Sequence, residues 1–396
     1  MTKTPAKSTT PKTARLMYGN GADWFYATGI RASDPALWFC DSKGRVHLPV
    51  SERDVAEYMA FARADFIVGW PEIRAALKKA GQPFNMVNVV TWLLAKDKAA
   101  EVVEVPRDFP AGFYVKLVEA GVPLRVVEGS FFAARSIKTA DEIKKLAAAQ
   151  RANEQGMEHA FGILRACKIG KDKRLRWQGS VLTSEALGQE MNAFLLRQGC
   201  MGFNGGPIVG CGVYGAMPHG GHGPLRPHEL IVIDSFPTHR NGYCGDLTRT
   251  VVKGKPTDWQ RMVYGTVLEA QKLALGLIKP GVNGAEIHRA VGRFFERAGF
   301  PAGADSKGRP QGFFHGLGHA VGLEVHDMGA GMGGADAVLR VGSVTSVEPG
   351  LYYPSTTTLN GVKGGPGGCR IEDVVVVTAT GYKNLTKLDK KNWVIE

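Results

Sequence analysis

The chain has 396 residues, of which 44% are hydrophobic and 22% charged, and it carries a net charge of +12. Those values exclude a disordered or fibrous protein and fit two or three globular units that bury a core without disulfide staples. Apolar runs such as Leu230 to Ile233 and Val374 to Val377 are strand-sized and far below the roughly 18 residues of a membrane span, so no membrane partner is expected.

Cysteines stand at 40, 167, 200, 211, 244 and 369 with no Cys-x-x-Cys pair. In a chain of this size they read as reduced thiols in a cytoplasmic protein. Part of the positive charge is concentrated at the two ends, at Lys3, Lys7, Lys12 and Arg15 and again at Lys383, Lys387, Lys390 and Lys391. Charged tails of this kind are solvating, and without an aromatic-interleaved basic motif they predict no nucleic-acid partner. Residues 1–14 lack acids and large apolar side chains and are expected to be disordered; they also lack the apolar stretch of a secretory signal.

From 15 to 135 short apolar runs alternate with helical stretches, as in a small α/β domain. Ala36-Leu37-Trp38-Phe39 and Val46-His47-Leu48-Pro49-Val50 flank the turn-like Asp41-Ser42-Lys43-Gly44 and predict a hairpin. Phe113-Tyr114-Val115 and Leu124-Arg125-Val126-Val127 are expected to be further strands. Thr139, followed three residues later by Glu142, forms a capping box ahead of a helix reaching about Leu164, and it opens a second domain over 136–396. Three more helices are expected at 181–198, 257–278 and 284–298.

The strands of this second half end in acids. Leu230-Ile231-Val232-Ile233 runs into Asp234, and twelve residues on Asp246 leads into Leu247-Thr248-Arg249-Thr250, giving strand, turn, strand with a carboxylate on each arm. Val344-Thr345-Ser346-Val347 runs into Glu348, and Arg370-Ile371-Glu372-Asp373 precedes four valines. Carboxylates set against apolar strands are costly unless neutralised. Two solutions are open: arginine partners, here Arg249 and Arg370, or a pair of divalent cations, which aspartate and glutamate suit as oxygen ligands. Beside them lies a histidine cluster, His315-Gly316-Leu317-Gly318-His319, with His326 seven residues beyond. His315 and His319 have helical spacing, but the glycines predict a loop-and-strand presentation, and no His-Glu-x-x-His motif is present. Gly329-Ala330-Gly331-Met332-Gly333-Gly334 fits Gly-x-Gly-x-x-Gly literally; it follows no strand and opens no helix, so it is expected to be a loop.

The segments His-Gly-Leu-Gly-His-x-x-Gly-Leu-Glu-Val-His-Asp, Gly-Tyr-x-x-Asp-x-Thr-Arg-Thr, Val-Glu-Pro-Gly and Arg-Ile-Glu-Asp together resemble the signatures of the pita-bread metallopeptidases, and within them the aminopeptidase P and prolidase branch. The resemblance covers roughly 200 to 378. It implies a C-terminal pita-bread domain preceded by a smaller α/β, creatinase-like domain, and a homodimer. It implies two divalent ions, manganese first with cobalt or zinc as alternatives, held by Asp234, Asp246, His319, Glu348 and Glu372. Glu348 is then also the proton acceptor and donor, and His326 the residue bonded to the substrate carbonyl. His219, in Pro218-His219, takes the role of an upstream substrate histidine with His222 as competitor. His315 and Arg370 orient the substrate, although Arg370 serving only to hold carboxylates is an equal alternative. The implied substrate is a peptide with proline in second position. Two features depart from the family pattern: the step from Asp234 to Asp246 is twelve residues rather than eleven, and the interval from His219 to Asp234 is two residues short. Methionine-aminopeptidase-like chemistry, a metal-free creatinase type, and a non-catalytic binding protein on the same fold are the rival readings. The N-terminal domain and Leu323-Glu324-Val325-His326-Asp327 weigh against the first, and the complete ligand set against the other two.

Overall fold

The computed structural model describes residues 12–201, 206–333, 335 and 337–396. The chain divides into two compact units, Met1–Ala133 and Ala134–Glu396. Of the segment expected to be disordered, residues 1–11 lie outside the described residues, while Thr13 and Ala14 already belong to a strand paired with Val102 and Val103. Ala14 is fully buried, and a small apolar residue in the right phase of the alternation is enough to start the strand there.

The first unit is built on one six-stranded sheet. Its spatial order is Phe66–Gly69, Val46–Val50, Ala36–Cys40, Thr13–Gly19, Val102–Val105 and Leu124–Val126. The expected hairpin pairs Phe39 with His47. Successive residues of the central strand serve opposite faces. Leu16 packs with Ile73, Leu77 and Val90 of the covering helices, and Met17 packs with Trp24, Trp38 and Tyr58. A sheet buried on both faces needs near-continuous apolar strands, which is what these runs supply. Phe113-Tyr114-Val115 is not a strand but part of the helix Ala111–Glu119. Three apolar residues fit either period. Pro110 at the cap position and the i, i+4 pairing of Phe113 with the buried Leu117 decide for the helix.

In the second unit, helices Ala140–Ala166, Ser184–Arg197, Asp258–Leu277 and Gly284–Arg297 lie where the sequence places them. The Thr139–Glu142 capping box forms as predicted. The first two helices cover a four-stranded sheet ordered Ile208–Cys211, Leu230–Ser235, Leu247–Lys253 and Val394–Ile395. Their Met157, Leu164, Leu187 and Met191 pack on Val209, Ile231, Ile233 and Val251. The other two helices set Val263, Val267, Ile287 and Phe295 against Val347, Leu351, Ile371 and Val375. These last belong to the sheet of Val344–Val347, Asp373–Val377 and Tyr382–Asn384, to the pair Gly350–Tyr353 and Gly367–Arg370, and to the link between them.

The period-two alternation of extended chain decides what faces the interior space. Ile233, Leu247, Val347, Cys369 and Ile371 all point into the helix-covered cores. Their neighbours Asp234, Asp246, Thr248, Glu348, Arg370 and Glu372 therefore share the opposite side. Asp373 and Arg249 revert to the core side, where they pair with each other. Residues 385–395 run beneath this pair as a strap. The Leu388 carbonyl accepts from Arg249 at 2.7 Å, Lys390 reaches Asp373, and Trp393 stacks on Tyr264 at 4.3 Å.

Glycines allow the backbones around this space to approach. A Cβ on Gly318 would lie 2.1 Å from the Ser346 carbonyl oxygen, whereas one on Gly265, within the helix Asp258–Leu277, would meet nothing within 4 Å. Gly318→Ala is therefore expected to lose about 2 kcal/mol through overpacking, and Gly265→Ala to gain about 0.5–1 kcal/mol. Thermal unfolding of the two variants checks the opposite signs.

Candidate active site

A cavity of ≈ 770 Å³ in the second unit is lined by Asp234, Asp246, His319, Glu348 and Glu372, together with His219, His315, His326 and Arg370. All nine residues singled out in the sequence thus border one space. His222 is not among its lining residues; it is exposed and 3.6 Å from Glu185. The Gly-rich segment contributes Gly333 to the rim and forms neither strand nor helix among the described residues; Gly334 lies outside them.

The longer hairpin keeps both aspartates in phase. Asp234 pairs with Thr248, so Asp246, two residues earlier, lies on the same face. The extra residue is absorbed in the turn, where His239 and Tyr243 are bonded N–H to carbonyl at 2.9 Å and Gly242 has φ +99. Asp246, His319 and Glu372 each offer one ligand atom within 4.8 Å of the others. His319 Nε2 is 3.5 Å from an Asp246 oxygen and 3.3 Å from a Glu348 oxygen. Its other nitrogen, Nδ1, is 3.2 Å from the Ala320 carbonyl, to which it can only donate. That bond leaves Nε2 as the nitrogen facing the carboxylates. The carboxylates converge on one another, an arrangement that requires a cation or protons between them.

Two adjacent acids make the contrast plain. Burial works against an ionised Asp373, yet Arg249 at 2.9 Å, Lys390 at 2.5 Å and Asn384 at 2.7 Å hold its carboxyl below the usual range. Glu372, next in sequence and equally buried, has among the described residues only Thr248 Oγ1 donating to its carboxylate at 2.7 Å, while Arg249 binds its backbone carbonyl. Burial, and then repulsion from Glu348 and Asp234, push Glu372 upward. Asp246 is raised by burial and then by Glu372, Asp234 and Glu348. Glu348 is raised chiefly by burial. Arg370 is the one guanidinium against this group among the described residues. It donates to Asp234 at 2.5 Å and to Thr248 at 3.0 Å, and lies 3.9 Å from Glu348.

Three contributing residues are given no role by the sequence reading, although Thr248 stands within one of its motifs. Ser346 Oγ donates to Glu348 at 3.1 Å and accepts from the His319 amide at 3.0 Å, tying a carboxylate to a histidine. Thr248 links Glu372 to Arg370. Tyr352 Oη accepts from Arg370 at 3.1 Å and lies 3.0 Å from His315 Nε2. Burial pushes the Tyr352 phenol up to about 12 and, with Arg370 adding, drives His315 down to about 4. His315 is therefore neutral, with Nδ1 donating to the Gly316 carbonyl at 2.7 Å and Nε2 accepting from the phenol. Only alternation on the strand Gly350–Tyr353 hinted at Tyr352, since it shares a face with Gly350.

A model of metallopeptidase family M24 matches residues 144–379, the stretch that carries every one of these groups. This chain belongs to metallopeptidase family M24. An Xaa-Pro dipeptidase of Lactobacillus helveticus is 32% identical over 304 residues, 76% of this chain and 71% of that protein. An uncharacterized peptidase of Bacillus subtilis is 32% identical over 259 residues, 65% of this chain and 64% of its own length. The structure of an Xaa-Pro dipeptidase from Bacillus anthracis superposes with a TM-score of 0.78 at 24% identity, covering 96% of this chain and 94% of that one. The M24 chain thus has a mixed α/β fold with the pita-bread domain C-terminal, and it is a metal-dependent peptidase. Its donor set fits divalent ions, with oxygen and imidazole ligands and a fixed histidine tautomer.

Without a divalent ion, Asp246, Glu348 and Glu372 keep protons in the folded state above the range, about 4, in which unfolded carboxylates release them. Folding of the ion-free chain then takes up protons, so its stability falls as pH rises above that range. The chelated protein is expected to lose Tm from about pH 5 to about pH 8. Added Mn²⁺ should restore it most at the upper end, where the ligands must be ionised anyway. A chelated protein with a flat or rising profile, indifferent to Mn²⁺, contradicts the carboxylate assignment.

Proposed function

We propose that the chain hydrolyses X-Pro peptide bonds with two divalent ions held by Asp234, Asp246, His319, Glu348 and Glu372. The observation that carries the reading is the uncompensated carboxylate–imidazole cluster, lying beside an acid, Asp373, that the chain has neutralised on its own. Bound ions would supply an acidified water and stabilise developing negative charge on the scissile oxygen. The names of the similar proteins, Xaa-Pro dipeptidases, support the substrate class.

The chain's own residues divide the remaining work. Glu348, raised above the ordinary carboxylate range, is poised to accept a proton and hand it to the departing proline nitrogen. His326 and His219 line the same cavity as the acidic group; burial and its histidine neighbours lower His326, leaving a neutral ring suited to bonding a carbonyl. Phe236, Phe314, Val325, Ile208 and Pro218 give the cavity an apolar wall that suits a pyrrolidine ring and excludes water. Arg370 serves two ends, holding Asp234 and, through Tyr352, fixing His315. Manganese is the ion to load first, with cobalt and zinc in parallel.

Loaded with Mn²⁺, the protein is expected to cleave Ala-Pro or Ala-Pro-Ala and to leave Ala-Ala largely intact. Glu372→Gln should lower kcat/KM by at least about 10³-fold, the several kcal/mol associated with ion-assisted hydrolysis, and reduce bound metal measured by mass spectrometry. Undiminished turnover by this variant, or a wild-type protein that binds no divalent ion, defeats the proposal.

A further inference from the structure

His326 borders the cavity, yet its ring makes no hydrogen bond of its own among the described residues; it lies edge-on to His319 at 4.1 Å. Its direction is therefore set by the backbone of the loop that carries it. The next residue, Asp327, has a side chain only 1% exposed. One carboxylate oxygen accepts from Lys138 Nζ at 2.9 Å and from the Leu323 amide at 3.1 Å. The other accepts from Arg135 Nη2 and from the Met328 amide at 2.8 Å. Each oxygen thus takes one cationic and one backbone donor, and the two amides lie on either side of His326.

We propose that Asp327, clamped between Arg135 and Lys138, is a positioning residue that fixes His326 over the active site. Both cations are nearly as buried as the acid, and Glu324 at the rim pairs with Arg135 at 2.7 Å, so two acids balance two bases. The loop has no slack. Asp327 N–H donates to the Ala320 carbonyl at 2.9 Å, next to His319, and the Gly322 carbonyl accepts from Cys244 N–H at 2.8 Å, two residues before Asp246. A Cβ on Gly322 would lie 1.7 Å from the Asp327 carboxylate. The same loop is therefore pinned to a histidine ligand candidate at one end and to the aspartate hairpin at the other, while the carboxylate sets the pitch of the turn between. Arg135 and Lys138 act from the stretch just before the helix Ala140–Ala166, which Thr139 caps. Asp327 touches no substrate; its effect reaches the reaction through the imidazole beside it.

The inference rests on the X-Pro reading for the role of His326, so its test carries a readout independent of turnover. Asp327→Asn in the Mn²⁺-loaded protein is expected to lower kcat on Ala-Pro about 10²-fold, the scale of a misplacement of about 1 Å, with KM changed less than about threefold and bound metal unchanged. In a His326→Ala background the same substitution should cost less than about threefold, because its route is already gone. Lys138→Met, which keeps the Arg135 pair, serves where Asp327→Asn does not fold and should cost about tenfold; Lys138→Arg should restore most of it. An equal loss in both backgrounds makes Asp327 merely structural and overturns the proposal, as does an unchanged kcat. If the wild-type protein cleaves no X-Pro peptide, that reading fails by itself, and ¹⁵N-histidine spectra decide the positioning claim. The ring signals that disappear in His326→Ala should shift in Asp327→Asn; if they stay in place, the clamp does not orient the ring.

Discussion

Four carboxylates share a buried space with one guanidinium. Asp234, Asp246, Glu348 and Glu372 face Arg370, and burial together with mutual repulsion keeps three of them reluctant to ionise. Charges removed from water must be paired or protonated, and everything near the site bears on that demand. Thr248 and Ser346 spread the few available donors over Glu372 and Glu348. The Ala320 carbonyl accepts from His319 Nδ1, so that Nε2 is the nitrogen turned toward the carboxylates. The metal requirement is thus a property of the electrostatics of the fold, and the peptidase chemistry follows from the same arrangement.

Holding such a group together depends on strand alternation. Each of the four carboxylates follows or precedes a residue that is committed to a helix-covered core: Ile233, Leu247, Val347 or Ile371. Rotating one carboxylate out of the site would expose an apolar neighbour, so hydrophobic burial enforces a polar geometry. Asp373 shows the other face of that rule. One residue past Glu372, it falls on the core side and finds Arg249 and Lys390.

Much of this was legible in the sequence because alternation and punctuation are local. The helices of the second unit and the Thr139 capping box were readable from periodicity, and the acidic strand ends from their apolar runs. Phe113-Tyr114-Val115 was misread because three apolar residues carry no period; Pro110 at the cap and the packing of Leu117 choose the helix. The choice between His219 and His222 was open because nothing local says which ring borders the acidic group; both are exposed, and of the two His219 lines the cavity. Tyr352, Ser346 and Thr248 were overlooked for a related reason. Hydroxyls are common on strands, and their use appears only when a carboxylate or guanidinium arrives from a segment far along the chain. The Asp327 clamp likewise joins positions separated by 189 and 192 residues.

The strap of residues 385–395 adds a matter of timing. Arg249 is made about 140 positions before Leu388, whose carbonyl it binds, and Asp373 before Lys390. During synthesis on the ribosome, most strands of the pita-bread domain are therefore available while one buried ion pair still lacks its final donor, and Val394–Ile395 joins the four-stranded sheet only with the strap. Full electrostatic closure beneath the candidate site waits for these eleven residues, none of which lines the cavity.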